Sequence, residues 1–304
     1  MNKVFLSRVS QKIWYYIYRL LGTYNSKKLV ELRYKRRFKK PLDWDNPQTL
    51  NEKILWLKEF SDTSEWTRLA DKYLVRQFVE TKGLGNYLVK LYGKWDNAEE
   101  IDWKSLPDKF VLKLNNGSGD VLICKNKSQL NIRRVVKKFH SLLTRKFGIT
   151  TGEPHYQRIR PCIIAEELLD SSKQSIKSSS LIDYKIWCFD GIPESIWVCH
   201  NRTKESVEVG TYDTKWNYHP EYANSDGHYI ASKQLIPKPA SLSLMLQMAS
   251  VLSKGFPVVR VDLYEVDKKP YFGELTFSSN FGMMEFFSDE YQLYLGSKVR
   301  LPNE

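Results

Sequence analysis

An α+β fold is predicted for this chain on three observations. The first hundred of its 304 residues carry helical periodicity. After Pro107 the texture changes to short alternating runs separated by turns rich in Gly, Asn and Asp. Those runs read as antiparallel hairpins, not as repeated β-α-β units. The length allows one large or two modest domains with real cores, and 42% hydrophobic with 13% aromatic residues marks a globular chain.

The opening stretch, MNKVFLSRVSQKIWYYIYRLLG, fails as a secretory signal. Arg8, Gln11 and Lys12 interrupt its apolar run, and no small-residue cleavage site follows. Ile13, Trp14, Ile17, Tyr18 and Leu21 fall at helical spacing. They predict an amphipathic helix, either packed on the protein's own core or laid on an anionic membrane surface. The formal charge is +12, much of it early, in Lys27, Lys28, Arg33, Lys35, Arg36, Arg37, Lys39 and Lys40. A basic surface attracts nucleic acid, anionic lipid or acidic polysaccharide without choosing among them. No RNA-binding aromatic signature or helix-turn-helix pattern argues for nucleic acid. Residues 1–40 precede every motif below and are expected to serve targeting or docking. Cys124, Cys162, Cys188 and Cys199 form no C-x-x-C pair and lie near no His cluster. They read as reduced, buried thiols, which fits a cytoplasmic protein.

Asn46-Pro47-Gln48-Thr49 is a turn into the helix LNEKILWLKEF, and a second helix is expected from Glu65 to Glu80. Phe110–Leu114 and Val121–Cys124 read as strands around Asn-Asn-Gly-Ser-Gly-Asp. Asn-Gly between alternating apolar residues is a hairpin signal in its own right. Gly117, Ser118 and Gly119 also leave successive backbone N–H groups able to face an anion, with Lys113 on the incoming strand. A basic helix follows from about Asn131 to Lys146. Cys162–Glu166 is a strand ending in two acids. DYKIWCFDG and PESIWVCHNR pair about a turn at Asp190–Pro193, a looser stretch covers 203–239, and Leu242–Leu252 is a helix.

The closing hairpin, VVRVDLYEVDKKPYFGELTF, carries the sharpest chemistry. With its turn at Asp267–Pro270, Asp262 faces Glu274 and Arg260 faces Thr276, all on one side. Like charges directly opposed destabilise a strand pair. A divalent cation with oxygen ligands relieves them, and Mg²⁺ favours one or two carboxylates plus phosphate oxygens. An exposed face with Arg260 neutralising Asp262 is the competing account.

In order and spacing, ADKYLVR, FVLKLNNGSGD, IIAEELL, DYKIWCFDG and VVRVDLYEVDKKPYFGELTF resemble the ATP-grasp superfamily, in its TupA-like branch of bacterial surface-polysaccharide clusters. The resemblance runs from about Leu50 to the C-terminus. It implies two α+β lobes clasping ATP, residues 106–168 and 169–304, behind a helical segment 1–105. It implies phosphate contacts from Lys72 and Lys113, with Gly117 to Gly119 closing over the β- and γ-phosphates. Glu166 would accept from the adenine amino group, with Glu167 and Leu168 beside the ring. Asp183 would take the ribose position, Lys185 a phosphate, and Asp262 and Glu274 would hold Mg²⁺ or Mn²⁺. Arg260 would steady the transferred phosphoryl group. Many members carry Asn two residues after the metal Glu. Thr276 stands there in this chain, and Asn280 is the candidate replacement. The implied reaction joins the carboxylate of an acidic sugar or glycan precursor to an amino acid or other amine, at the inner membrane face. A sugar kinase or glycosyltransferase of the same pathway, and a non-catalytic basic module, are the alternatives.

Overall fold

The computed structural model describes residues 3–117, 119–224, 227–232 and 234–302, with side chains from Gln11 onward. The chain opens with helices α1 (Lys3–Tyr24), α2 (Ser26–Phe38), α3 (Leu50–Phe60), α4 (Ser64–Ala70) and α5 (Val75–Thr81). Strands β1 (Leu91–Trp95), β2 (Phe110–Leu114) and β3 (Val121–Cys124) follow, then α6 (Ile132–Leu143), α7 (Pro154–Gln157) and β4 (Ile163–Glu167). The rest is β5 (Asp183–Phe189), β6 (Ile192–His200), β7 (Val207–Asp213), β8 (Tyr229–Ala231), α8 (Leu242–Ser253), β9 (Val259–Val266), β10 (Lys269–Thr276) and α9 (Asp289–Lys298).

Two sheets organise these elements, a four-stranded one in the order β1-β4-β2-β3 and a six-stranded one in the order β10-β9-β5-β6-β7-β8. All pairings are antiparallel except β7 with β8. β2 alternates buried and half-buried residues because one face packs under α6, where Val135, Phe139 and Leu142 point inward. β5 is buried along nearly all its length, packed under α8 and against Phe287, and it carries Asp183 and Lys185 among its apolar residues.

Sequence expectations held for α3, whose N-terminus forms a capping box between Thr49 and Glu52. Three were revised. The 203–239 stretch contains strands β7 and β8. The helix expected from Glu65 to Glu80 is broken into α4 and α5, because Asp71 Oδ1 accepts from the N–H groups of Tyr73 and Leu74 and turns the chain there. The first forty residues are not a detachable appendage. Leu29, Val30 and Tyr34 of α2 are wholly buried, and the Tyr34 hydroxyl donates to Glu52 at 2.8 Å. On α1, Trp14, Ile17, Tyr18 and Leu21 are half-buried, so that face packs on the protein. The close approach needs Gly22, where a Cβ would stand 1.7 Å from the Ile149 carbonyl oxygen. The neighbouring face, with Ile13, Tyr16, Leu20 and Tyr24, is exposed. Among the described residues no helix is long and apolar enough to cross a membrane.

Candidate functional site

The hairpin of β9 and β10 sets the site. Its turn is tighter than the sequence suggests. Asp267 and Lys268, at φ of 54° and 61°, form a two-residue loop, and Pro270 pairs with Glu265. That register would have put Asp262 opposite Gly273. A bulge between Phe272 and Glu274 shifts it by one, so Glu274 faces Asp262 and Thr276 faces Arg260.

The two carboxylates are not left to repel each other. Arg260 donates to both oxygens of Asp262, from Nε at 2.7 Å and from Nη2 at 2.8 Å, and its Nη2 lies 3.8 Å from Glu274. Lys185, on the neighbouring strand and in register with Asp262, reaches its Oδ2 at 2.5 Å. Lys72 holds Glu274 at 3.1 Å. Beyond Lys185 stands Asp183 at 3.4 Å, and beyond that Arg202 at 3.2 Å. The result is a ribbon of alternating charge: Arg202, Asp183, Lys185, Asp262, Arg260, Glu274, Lys72. Four cations and three anions leave one net positive charge. The chain's own cations thus compensate the facing carboxylates, so their opposition alone does not call for a metal.

Burial and ion pairing act together here. Asp262 is 1% exposed. Burial alone would raise the Glu274 carboxyl, but Lys72, Lys185 and Arg260 outweigh it and hold it well below the usual range. Burial likewise opposes charge on Lys185 and Arg260, and the neighbouring carboxylates override it, so both stay protonated.

Lys72 comes to this ribbon because of the break between α4 and α5. Its backbone N–H donates to Asn115 O at 3.0 Å, and its ammonium donates to Gly117 O at 2.8 Å. Asn115 is the anchor. Its amide donates to Asp71 at 2.8 Å and to Arg160 O at 3.0 Å, and its carbonyl accepts from Cys162 N–H at 2.7 Å. Thus the glycine loop, the ADKYL turn and β4 are tied at one buried residue. Gly119 adopts φ of 84° with open space around it, and Ser118 lies outside the described residues.

Lys113 points to the same side, but its ammonium is held by Glu166 at 2.5 Å, with Arg76 at 3.5 Å from the same carboxyl group. The Glu166 carboxylate is thus committed to two cations, and an adenine amino group would have to compete with them. Glu167 is exposed at the end of β4, and Leu168 beside it is half-buried. Asn280 is not brought to the carboxylates. Its amide donates to Met283 O at 3.1 Å, and Thr276 occupies the gap instead, donating to Glu274 at 3.1 Å and accepting from Arg260 at 3.2 Å. Sequence reasoning missed Asp71, Arg76, Asn115 and Arg202. Only the first carried a signal, as a helix-breaking Asp two residues before Tyr73.

A family model described as TupA-like ATPgrasp matches residues 52–300. The chain belongs to that family. Similar solved structures include an L-amino acid ligase from Bacillus licheniformis, 13% identical over 76% of this chain and 49% of its own length, with a TM-score of 0.44. A D-alanine–D-alanine ligase from Bacillus anthracis solved with ATP is 16% identical over 76% and 63%, at 0.40. The ATP-grasp ligase PsnB, solved with its minimal precursor, Mg and ADP, is 10% identical over 77% and 59%, at 0.37. The chain thus spans about half to two thirds of the length of these proteins. No curated protein matches.

Proposed function

We propose that this chain is an ATP- and Mg²⁺-dependent carboxylate–amine ligase that amidates a uronic-acid sugar with an amino acid during surface-polysaccharide assembly. The observation that carries this is the ribbon of alternating charge ending on the glycine loop. Charges that neutralise one another can exchange partners with a polyphosphate and its metal at little cost in unpaired charge. Lys72 and Lys113, paired here with Glu274 and Glu166, would turn to phosphate oxygens. Asp262 and Glu274 supply the hard oxygen donors that suit Mg²⁺, with Mn²⁺ acceptable, and phosphate completes the set. A metal bound there neutralises charge on the transferring phosphoryl group.

In the reaction, a substrate carboxylate oxygen attacks the γ-phosphorus of ATP and the bond to the β-phosphate oxygen breaks, giving an acyl phosphate and ADP. The amine nitrogen then attacks the acyl carbon, the C–O bond to phosphate breaks, and the nitrogen loses a proton, giving amide and phosphate. Arg260, buried and multiply hydrogen-bonded, offers a rigid positive charge to the transferring group. The four-stranded sheet, which takes in β1 ahead of the expected 106–168, and the six-stranded sheet within 169–304 would act as the two clasping lobes, a division that limited proteolysis with and without nucleotide would test. The exposed face of α1 supports peripheral attachment. Its exposed Ile13, Tyr16, Leu20 and Tyr24 sit beside Lys12 and Arg19, the composition of a helix that lies on anionic lipid.

The test is to incubate the protein with Mg²⁺, ATP, a panel of uronic-acid sugars and amino acids, and to look for ADP together with an amide mass. ADP accompanied by a phosphorylated sugar would replace the ligase with a kinase.

A further inference from the structure

A second basic site lies outside the ribbon. Tyr18 of α1, Arg33, Arg36 and Arg37 of α2, and Met283 and Glu285 of the segment after β10 line a cleft of about 250 Å³. Its guanidinium groups are held by flat aromatic faces more than by acids. Arg36 stacks on Trp14 at 3.4 Å, and Arg33 lies between Tyr18 at 4.8 Å and Phe281 at 4.7 Å. Arg37 pairs with Glu285 at 2.5 Å, while Arg33 and Arg36 have no carboxylate partner among the described residues. Among the residues lining the cleft three cations stand against one anion, and the buried Glu153 near Arg33 offsets part of that surplus. Buried Nε–H groups of Arg33 and Arg37 also lack hydrogen-bond partners. Arg33 Nη1 donates to Thr150 O at 3.0 Å, and the positive charge gathered in the cleft is complementary to an anion.

The cleft is mechanically joined to the ribbon. Arg260 Nη1 donates to Ser279 Oγ. Two residues on, Phe281 lies under Arg33. Two residues span at most about 7 Å of chain. Asn280 and Phe281 hold φ of 46° and 51°, a left-handed pair that non-glycine residues rarely adopt. Lys58 donates to Phe281 O at 3.1 Å, and Asn51 bonds Met284 through both its amide groups, so the strap is pinned in this shape. Such strain concentrates where a ligand is gripped.

The geometry points to this cleft as the seat of an anionic group, carboxylate or phosphate, carried by the acceptor substrate, with the strap setting its distance from Arg260. Its existence as an anion site is independent of the ligase assignment, and only its role as acceptor site rests on it. At about 250 Å³ the cleft holds the anionic group and not the whole acceptor. The anion has two chemical sources, the carboxylate of a free uronate or the diphosphate of an activated sugar.

Isothermal titration of the full chain, with the nucleotide site filled by a non-hydrolysable Mg-ATP analogue, distinguishes them. Glucuronate, UDP-glucuronate and inorganic pyrophosphate are the probes. At least one binds the wild type, more weakly as salt rises. The Arg36→Gln/Arg37→Gln protein loses at least tenfold in that affinity, and Arg36→Lys/Arg37→Lys restores only part of it, because lysine keeps charge but not the bidentate fork. Affinity for the Mg-ATP analogue stays within twofold, which also reports that the variants fold. Binding of glucuronate alone assigns the carboxylate, and binding of the two diphosphates alone assigns the diphosphate. No binding by any probe, or equal binding by wild type and the Gln variant, overturns the site. Intact anion binding in a chain that binds no nucleotide leaves the cleft standing and removes the ligase.

Discussion

The ribbon on β9, β10 and β5 and the cleft between α1 and α2 are both built from cations, and they treat charge in opposite ways. In the ribbon every cation touches an acid, and burial is tolerated because signs alternate. In the cleft the cations lean on aromatic rings, and among the described residues only Arg37 pairs with an acid. The first arrangement can exchange partners without stranding a charge. The second holds a standing surplus. A count of Lys and Arg cannot separate the two, because the distinction lies in what each cation touches.

Breaking the ribbon should have the largest effect. Asp262→Asn should lower ATP turnover by more than about a hundredfold. It should also destabilise the fold by about 3–5 kcal/mol, since Arg260 and Lys185 would stay buried with an uncompensated charge. Steady-state ADP release and urea unfolding measure the two. Unchanged stability would mean that the ion pairs seen here add nothing.

The strap between the two regions is next. Burial lowers the Lys58 ammonium from 10.5 to about 8, and Glu153 and Glu59 only partly offset it. Between pH 8 and 10.5 the folded protein therefore releases a proton that the unfolded chain keeps. Stability contributed at this position rises with pH across that window, and below it the cost of a buried charge is fully present. The wild type should gain on Lys58→Met by up to about 3 kcal/mol over the window, read from paired denaturation curves. His155 beside it is pushed down to about 3 by burial, so it stays neutral throughout and does not confuse the reading.

A smaller effect compares two lysines flanking the glycine loop. Lys113→Ala should weaken ATP binding about tenfold or more, as loss of one charge-assisted phosphate contact would. Exposed Lys125→Ala should change it little. Equal effects would make the loop an ordinary turn. The smallest change in the fold should come from Leu20→Ser with Tyr24→Ser on the exposed face of α1. Stability should move within about 0.5 kcal/mol, while cosedimentation with anionic vesicles falls. Unchanged cosedimentation would remove the membrane assignment.

Much of the ribbon was legible in sequence because period-two alternation fixes which hairpin residues share a face. Asp262 opposite Glu274 emerged from a turn placed too wide, and the bulge at Gly273 restored the pairing. Glycine within a strand is the local sign of such a bulge. Lys72 was visible only as a lysine on a helix, since the break that delivers it depends on Asp71 and Asn115 meeting across 44 residues of chain. β1 was missed because Gly93 interrupts a short run, and β7 because Gly210 and Thr211 dilute its apolar alternation. The arginine cleft was seen as a charge cluster. Its walls come from α1, α2 and the strap, and nothing local links them.

Hydroxylamine trapping tests the central claim most directly. Protein, Mg²⁺, ATP and each candidate carboxylate are incubated with hydroxylamine in place of the amine, and hydroxamate and ADP are measured together. The account predicts equal amounts of ADP and hydroxamate for at least one uronate with the wild type, and neither with Asp262→Asn. ADP release with no hydroxamate from any carboxylate, accompanied by a phosphorylated sugar, would contradict it.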